Sequence, residues 1–150
     1  MQKITPFLWF DDKAEEAAEH YVSVFNARPG ASGGGSEILE VSRYGEGGRG
    51  TPGTAMTVSF RLEGQDFTAL NGGPDHDFTD AVSFLVSCES QEEVDAFWSA
   101  LSEGGEEGPC GWLKDRYGLS WQIIPTALSE LLGDPDRRRV DLAGASARLH

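Results

Sequence analysis

The sequence is poor in cysteine, in positive charge and in long apolar runs. It has two cysteines, Cys88 and Cys110, in 150 residues. Two thiols so far apart make neither a CxxC motif nor a disulfide framework, so the expected setting is a reducing cytoplasm. Lys and Arg total 12 against 25 Asp and Glu, a formal net charge of −13. Nucleic acids and anionic membranes bind through basic patches, so neither is an expected partner. No apolar stretch is long enough to span a bilayer, and no charged-then-apolar segment opens the chain, so no membrane or export role is expected. There is no GxGxxG after a strand and no βαβ array, which removes the usual nucleotide-binding signals.

What remains is ordinary globular material, 39% hydrophobic and 25% charged, in a length that suits one domain. The most specialised stretch is Gly108 to Pro125, GPCGWLKDRYGLSWQIIP. It reads as an antiparallel hairpin. Cys110 to Lys114 is one strand, Asp115-Arg-Tyr-Gly118 the turn, and Leu119 to Ile124 the second strand, stopped by Pro125. Asp can bond its own backbone there, and Gly can take positive φ. Two tryptophans, a cysteine, a lysine and a glutamine crowd this hairpin, which marks it as a pocket wall.

The first half reads β-α-β-β-β. Strands are expected at Lys3 to Phe10, Glu37 to Tyr44, Thr54 to Leu62 and Asp66 to Asn71. The last two form a hairpin across Glu63-Gly64-Gln65. A helix from about Lys13 to Phe25, capped by Asp11 or Asp12, carries Ala14, Ala17, Ala18, Tyr21, Val24 and Phe25 on one face. Glycine-rich loops fall at Gly33 to Gly35 and Gly45 to Gly53, the first expected to be mobile. The second half repeats the order. Ala81 to Cys88 is a strand. Ser90 and Glu93 form a capping-box pattern, and the helix behind them carries Val94, Phe97, Trp98 and Leu101. One further strand belongs near Glu106 to Cys110. Glu15-Glu16-Ala17 matches Glu92-Glu93-Val94, His20-Tyr21 matches Phe97-Trp98, and Val24 matches Leu101, all at one offset of 77 residues. Two like modules are expected, about 2–73 and 79–126, with a tail at about 127–150.

A paired β-α-β-β-β module resembles the vicinal oxygen chelate superfamily, the glyoxalase/bleomycin resistance/dioxygenase fold. The strings TPFLWF, AEEAAEHYVSVF, ALNGGP, SFLVSCESQEEVDAFW and CGWLKDRYGLSWQIIP resemble its PhnB-like branch, labelled 3-demethylubiquinone-9 3-methyltransferase. The resemblance implies an α+β fold in which each module curls its sheet into a cup. It implies association as a homodimer and a small-molecule ligand in the cavity.

Members of the superfamily commonly hold a divalent metal through His and Glu of the first and last module strands. The corresponding positions here are Thr5 or Pro6, Ser83 and Gln122. Proline has no donor atom, and Ser, Thr and Gln are neutral and weak ligands, so no metal and no cofactor is expected. The alternatives are a metal-dependent lyase or dioxygenase, or the methyltransferase of the branch label, for which the sequence has no nucleotide-binding motif.

Candidate cavity-lining residues are Ser83, Cys110, Trp112, Gln122 and Asn71. If Gln122 faces the cup, strand alternation sends Trp121 to the core. Trp112 is either wall or core, and Cys110 either a cavity thiol or a small buried hydrophobe. Asn71 either supports the Asn71-Gly-Gly-Pro74 turn or meets ligand. His76, flanked by two aspartates, reads as an exposed loop residue, and His20 as packing. His150 is terminal.

Overall fold

This computed structural model describes residues 2–30 and 35–127. Most of the glycine loop at Gly33 to Gly35, the expected tail beyond Ala127 and His150 lie outside the described residues. The chain forms two compact units, one of the residues up to Phe78 except Arg28–Gly30, the other of Arg28–Gly30 and the residues from Thr79 onward.

The first unit contains β1 (Phe7–Phe10), α1 (Ala14–Asn26), β2 (Glu37–Arg43), β3 (Ala55–Leu62) and β4 (Gln65–Asn71). Its sheet order is β1-β4-β3-β2. The β3–β4 hairpin turns on Glu63 and Gly64, both at positive φ (50° and 81°). Two left-handed residues in succession match the right-handed twist of the flanking strands. β1 then adds in parallel to β4, with Phe7 opposite Thr68 and Phe10 opposite Asn71.

The second unit repeats this plan with β5 (Ser83–Cys88), α2 (Gln91–Ser102), β6 (Glu106–Glu107), β7 (Trp112–Lys114) and β8 (Ser120–Pro125). Its order is β5-β8-β7-β6, with β5 parallel to β8. The two modules are therefore topological copies, an α+β fold of two four-stranded mixed sheets. The strand expected near Glu106 is present but only two residues long.

Each helix covers one face of its own sheet. In α1 the buried residues are Ala14, Ala17, Ala18, Tyr21 and Phe25. Three alanines on that face let the helix approach closely, and Tyr21 reaches the Phe60 ring at 6.2 Å. Phe60 in turn stacks on Phe67 at 5.2 Å. In α2, Val94, Phe97 and Leu101 are buried, and Trp121 and Ile123 supply buried side chains from β8. Burial of such side chains is the main favourable term for either unit, about 1.5–3 kcal/mol for each large one.

The helix caps differ from expectation at one end. Ser90 does cap α2, its Oγ accepting the Glu93 amide at 3.1 Å, while the Glu93 carboxylate accepts the Glu89 amide at 2.8 Å. Neither Asp11 nor Asp12 caps α1. Lys13 occupies the cap position and its side chain makes no capping bond. The Ala14 amide donates instead to Asn71 Oδ1 at 2.7 Å. A side chain from the end of β4 thus satisfies the helix end that a local aspartate could have served.

Candidate functional site

Among the described residues the second sheet has α2 on one face and no helix on the other. Cross-strand partners share a face, so the register sorts the side chains. Ser83 lies opposite Ser120 and Leu85 opposite Gln122. Trp112 lies opposite Gln122 and Lys114 opposite Ser120. All six belong to the face away from Trp121, because successive strand residues alternate.

Trp121 is anchored by the turn before it. The Asp115 amide donates to the Leu119 carbonyl at 2.8 Å and the Gly118 amide to the Asp115 carbonyl at 2.9 Å, with Gly118 at φ 89°. Asp115 Oδ1 accepts the Tyr117 and Leu119 amides at 2.9 and 3.0 Å. Its Oδ2 accepts the Trp121 indole N–H at 2.9 Å. Asp115 is itself buried. A buried carboxylate is tolerated when its lone pairs are occupied. The turn therefore locks Trp121 into the core, as expected for that residue, and turns Gln122 to the open face.

There Gln122 Nε2 donates to Ser83 Oγ at 3.0 Å. These are the positions at which the superfamily resemblance puts metal ligands. An amide and a hydroxyl that hydrogen-bond one another are neutral, weakly basic donors, poorly suited to replacing the water around a divalent cation. In the first unit Thr5 Oγ1 lies 3.4 Å from the Gln2 amide nitrogen, and Pro6 contributes its carbonyl to the Thr68 amide. Among the described residues no group of three or more His, Cys, Asp or Glu side chains could hold a metal ion. The residues present do not fit the usual centre.

Trp112 walls a hollow of about 440 Å³ that also involves Asp80, Glu106, Glu107, Lys114 and Ser120. Trp112 is half-buried there. Cys110 is not a β-strand residue, as the sequence reading had it. It takes φ 57° beside Gly111 at 85°, in a turn closed by the Trp112 amide on the Pro109 carbonyl at 3.0 Å. Gly108 and Gly111, which bracket Pro109-Cys110, let the chain reverse before β7 begins. The other thiol, Cys88, is buried, and burial pushes it up to about 12, with Glu93 adding to the effect. A thiol held protonated is a poor nucleophile.

Asn71 belongs to the first unit, at the end of β4. It does not brace the Asn71-Gly-Gly-Pro74 turn through its side chain. Besides the α1 amide it binds the Ala55 carbonyl through Nδ2 at 3.1 Å. Its backbone carbonyl accepts the Tyr44 hydroxyl at 2.6 Å. Around it the first unit has its own hollow, about 1030 Å³, bounded by Trp9, Arg43, Tyr44 and the glycine loop.

Sequence reasoning missed Trp9 and Tyr44. Trp9 donates its indole N–H to the Gly73 carbonyl at 2.9 Å and meets exposed His76 edge-on at 4.7 Å. Tyr44 ties down both ends of the loop through Gly53 and Thr54, and Gly50 lies against its ring with no room for a Cβ. The signal was available: an aromatic followed by glycines at 45, 47, 48, 50 and 53 marks a backbone folded against a ring.

Comparison with known proteins bears on the family. The family model described as 3-demethylubiquinone-9 3-methyltransferase matches residues 2–124. A PhnB protein of Bacillus cereus, described with the same methyltransferase name, is 39% identical. Its structure matches with a TM-score of 0.69, covering 83% of this chain and 99% of that one. Protein PA1353 from Pseudomonas aeruginosa matches at 0.65 with 18% identity, over 83% and 98% of the two chains. The fosfomycin resistance protein FosX from Listeria monocytogenes matches at 0.54 with 15% identity, over 87% and 97%. The latter two show the fold alone. No curated protein matches this sequence. Together the family model, the Bacillus cereus relative and the duplicated topology place this chain in the PhnB-like, 3-demethylubiquinone-9 3-methyltransferase family, on the glyoxalase/bleomycin resistance fold.

Proposed function

We propose that the chain is a small-molecule-binding protein that works without the superfamily's usual metal centre. The observation that carries this reading is the Gln122–Ser83 hydrogen bond of 3.0 Å. Two neutral groups occupy metal-ligand positions and use their polar atoms on each other. The hollow beside Trp112, about 440 Å³, falls in the range of small-ligand sites. Ser83, Trp112 and Gln122 are the proposed ligand-facing residues on the second sheet. Asn71, which lines the hollow of the first unit, and Cys110, in the turn before β7, are the other proposed ligand-facing residues.

The protein is further proposed to act as a homodimer in the cytoplasm. β1 and β5 are sheet edges, and apolar side chains stand exposed on or beside them: Ile4, Phe7, Val82 and Leu85. Open edges with apolar side chains are association-prone. Neither cysteine is in a disulfide, which fits a reducing compartment. Among the described residues no helix is long and apolar enough to cross a membrane.

Metal analysis tests the central reading. The protein, produced in medium supplemented with zinc, manganese, nickel and iron, should carry well below one equivalent of any of them. Ser83→Ala and Gln122→Ala should leave that content unchanged. One bound equivalent that is lost in Gln122→Ala overturns the metal-free reading in favour of a metal-dependent enzyme. Light scattering tests the dimer: the native mass should be twice that of the chain, and Leu85→Glu or Phe7→Glu should lower it.

A further inference from the structure

The loop from Gly45 to Gly53 borders the hollow of the first unit and is fastened mainly at its ends. Taking that hollow as a ligand site, as above, we propose that the loop is a strap that opens and closes it, with the Tyr44 hydroxyl as the latch.

The loop and three apolar side chains, Trp9, Met56 and Leu70, bound the same hollow. Trp9 and Leu70 are register partners on β1 and β4, so they share a face of the sheet. All three side chains are half-buried. Movement of the loop therefore changes how far they can be reached. Closing segments over ligand sites act in this way, and they are drawn from the less stable parts of a fold.

Little holds the middle of the loop. Five of its nine residues are glycine and the others are Glu46, Arg49, Thr51 and Pro52, so it has no large apolar side chain to bury. All but Gly50 are exposed. A segment with so little burial opens at low cost relative to the whole fold. Its ends, in contrast, are tied. The Tyr44 amide donates to the Thr54 carbonyl at 2.9 Å and the Gly53 amide to the Tyr44 carbonyl at 2.8 Å. Arg43 donates to the Gly53 carbonyl at 3.3 Å and to Glu15 of α1 at 2.9 Å. Between fixed ends the glycines supply the freedom of a hinge, with Gly47 at φ 85° and Gly53 at φ 87°.

Tyr44 is the part that holds the middle down. Its ring lies against Gly50 with no room for a Cβ, and Gly48 is packed nearly as tightly on the same ring. The hydroxyl donates to the Asn71 carbonyl, at the end of β4, at 2.6 Å. That bond seats the ring, and the ring seats the loop. Removing the hydroxyl alone keeps the ring and its shape while loosening the seat, so the open form gains population.

The test measures access to the hollow. Met56→Cys puts a thiol in its lining, and Ser59→Cys puts one on the same strand outside the lining. Each thiol is labelled with iodoacetamide in the full chain, with and without Tyr44→Phe, and the rate is read at that residue by mass spectrometry. Residue 56 should label about threefold to tenfold faster in Tyr44→Phe, and residue 59 at the same rate in both. Gly50→Ala, which keeps the hydroxyl but crowds the ring, should also speed labelling at residue 56. Equal rates at residue 56 with and without the hydroxyl, an equal rise at residues 56 and 59, or no labelling at residue 56 in any variant overturns the strap. The hollow would then be a fixed feature and the protein still a binder. Failure of the broader reading looks different: a stoichiometric metal by elemental analysis, lost in Gln122→Ala.

Discussion

The Asp115 carboxylate accepts the indole N–H of Trp121 at 2.9 Å, and its other oxygen holds the Tyr117 and Leu119 amides. One buried carboxylate thus sets both the turn and the rotamer of the largest buried side chain in the second unit. In Asp115→Asn either the amide nitrogen faces the indole N–H or it faces the two backbone amides. Donor then meets donor inside the protein. The expected cost is about 2–3 kcal/mol, a large share of a typical domain's stability. Urea denaturation checks it. In a double-mutant cycle with Trp121→Phe the two losses should fall short of additivity, because both remove the same bond.

Asn71 links β4 to the start of α1 and to Ala55. Asn71→Ala leaves the Ala14 amide and the Ala55 carbonyl without these partners. The expected loss is about 1–2 kcal/mol. Asn71→Asp keeps the acceptor for Ala14 and loses the donor for Ala55, so it should fall between the two. Asp11→Ala and Asp12→Ala, which remove no cap, should each change stability by less than about 0.5 kcal/mol. Thermal unfolding of the four variants decides the order.

Gly105 follows α2 so closely against the β7–β8 turn that a Cβ there would run into the Lys114 carbonyl and the Asp115 backbone. Backbone cannot move aside as the end of a side chain can. Gly105→Ala should cost about 1–3 kcal/mol or more. Gly45→Ala, where an added Cβ meets nothing within 4 Å, should be near neutral. Chemical denaturation of the two variants makes the comparison.

Cys88 gives a pH signature. Burial raises its thiol from an ordinary 9.0 to about 12, so the folded state holds this proton more tightly than the unfolded chain. The contribution is complete below the unfolded value and is lost as pH rises from about 9 towards 12. Stability measured across that range should fall less steeply in Cys88→Ala than in wild type. In a thiol-reagent assay on native protein Cys110, which is partly exposed, should react. Cys88 should stay silent until denaturant is added. Rapid labelling of both thiols in folded protein would contradict this placement.

Much of the fold was legible because it depends on short-range pattern. The Asp115-to-Gly118 turn, the Ser90–Glu93 cap, the apolar faces of both helices and the two β-α-β-β-β halves follow from residue type and spacing within a dozen positions. Strand ends were less legible. Cys110 looked like strand because it precedes an apolar run, but a turn needing two positive φ values claimed it together with Gly111. β6 could be only loosely placed, since two glutamates have no periodicity to read.

By itself the sequence determined the duplicated topology, the core placement of Trp121 and the neutral character of residues 83 and 122, since each rests on local chemistry or on the repeat. Only the tertiary structure decided that Asn71 rather than an aspartate caps α1, that Ser83 and Gln122 bond each other, and that Glu106 lies across from Lys114 beside Trp112. Those relations join residues distant in the chain. Strand register brings them together, and register is settled by packing rather than by neighbouring letters.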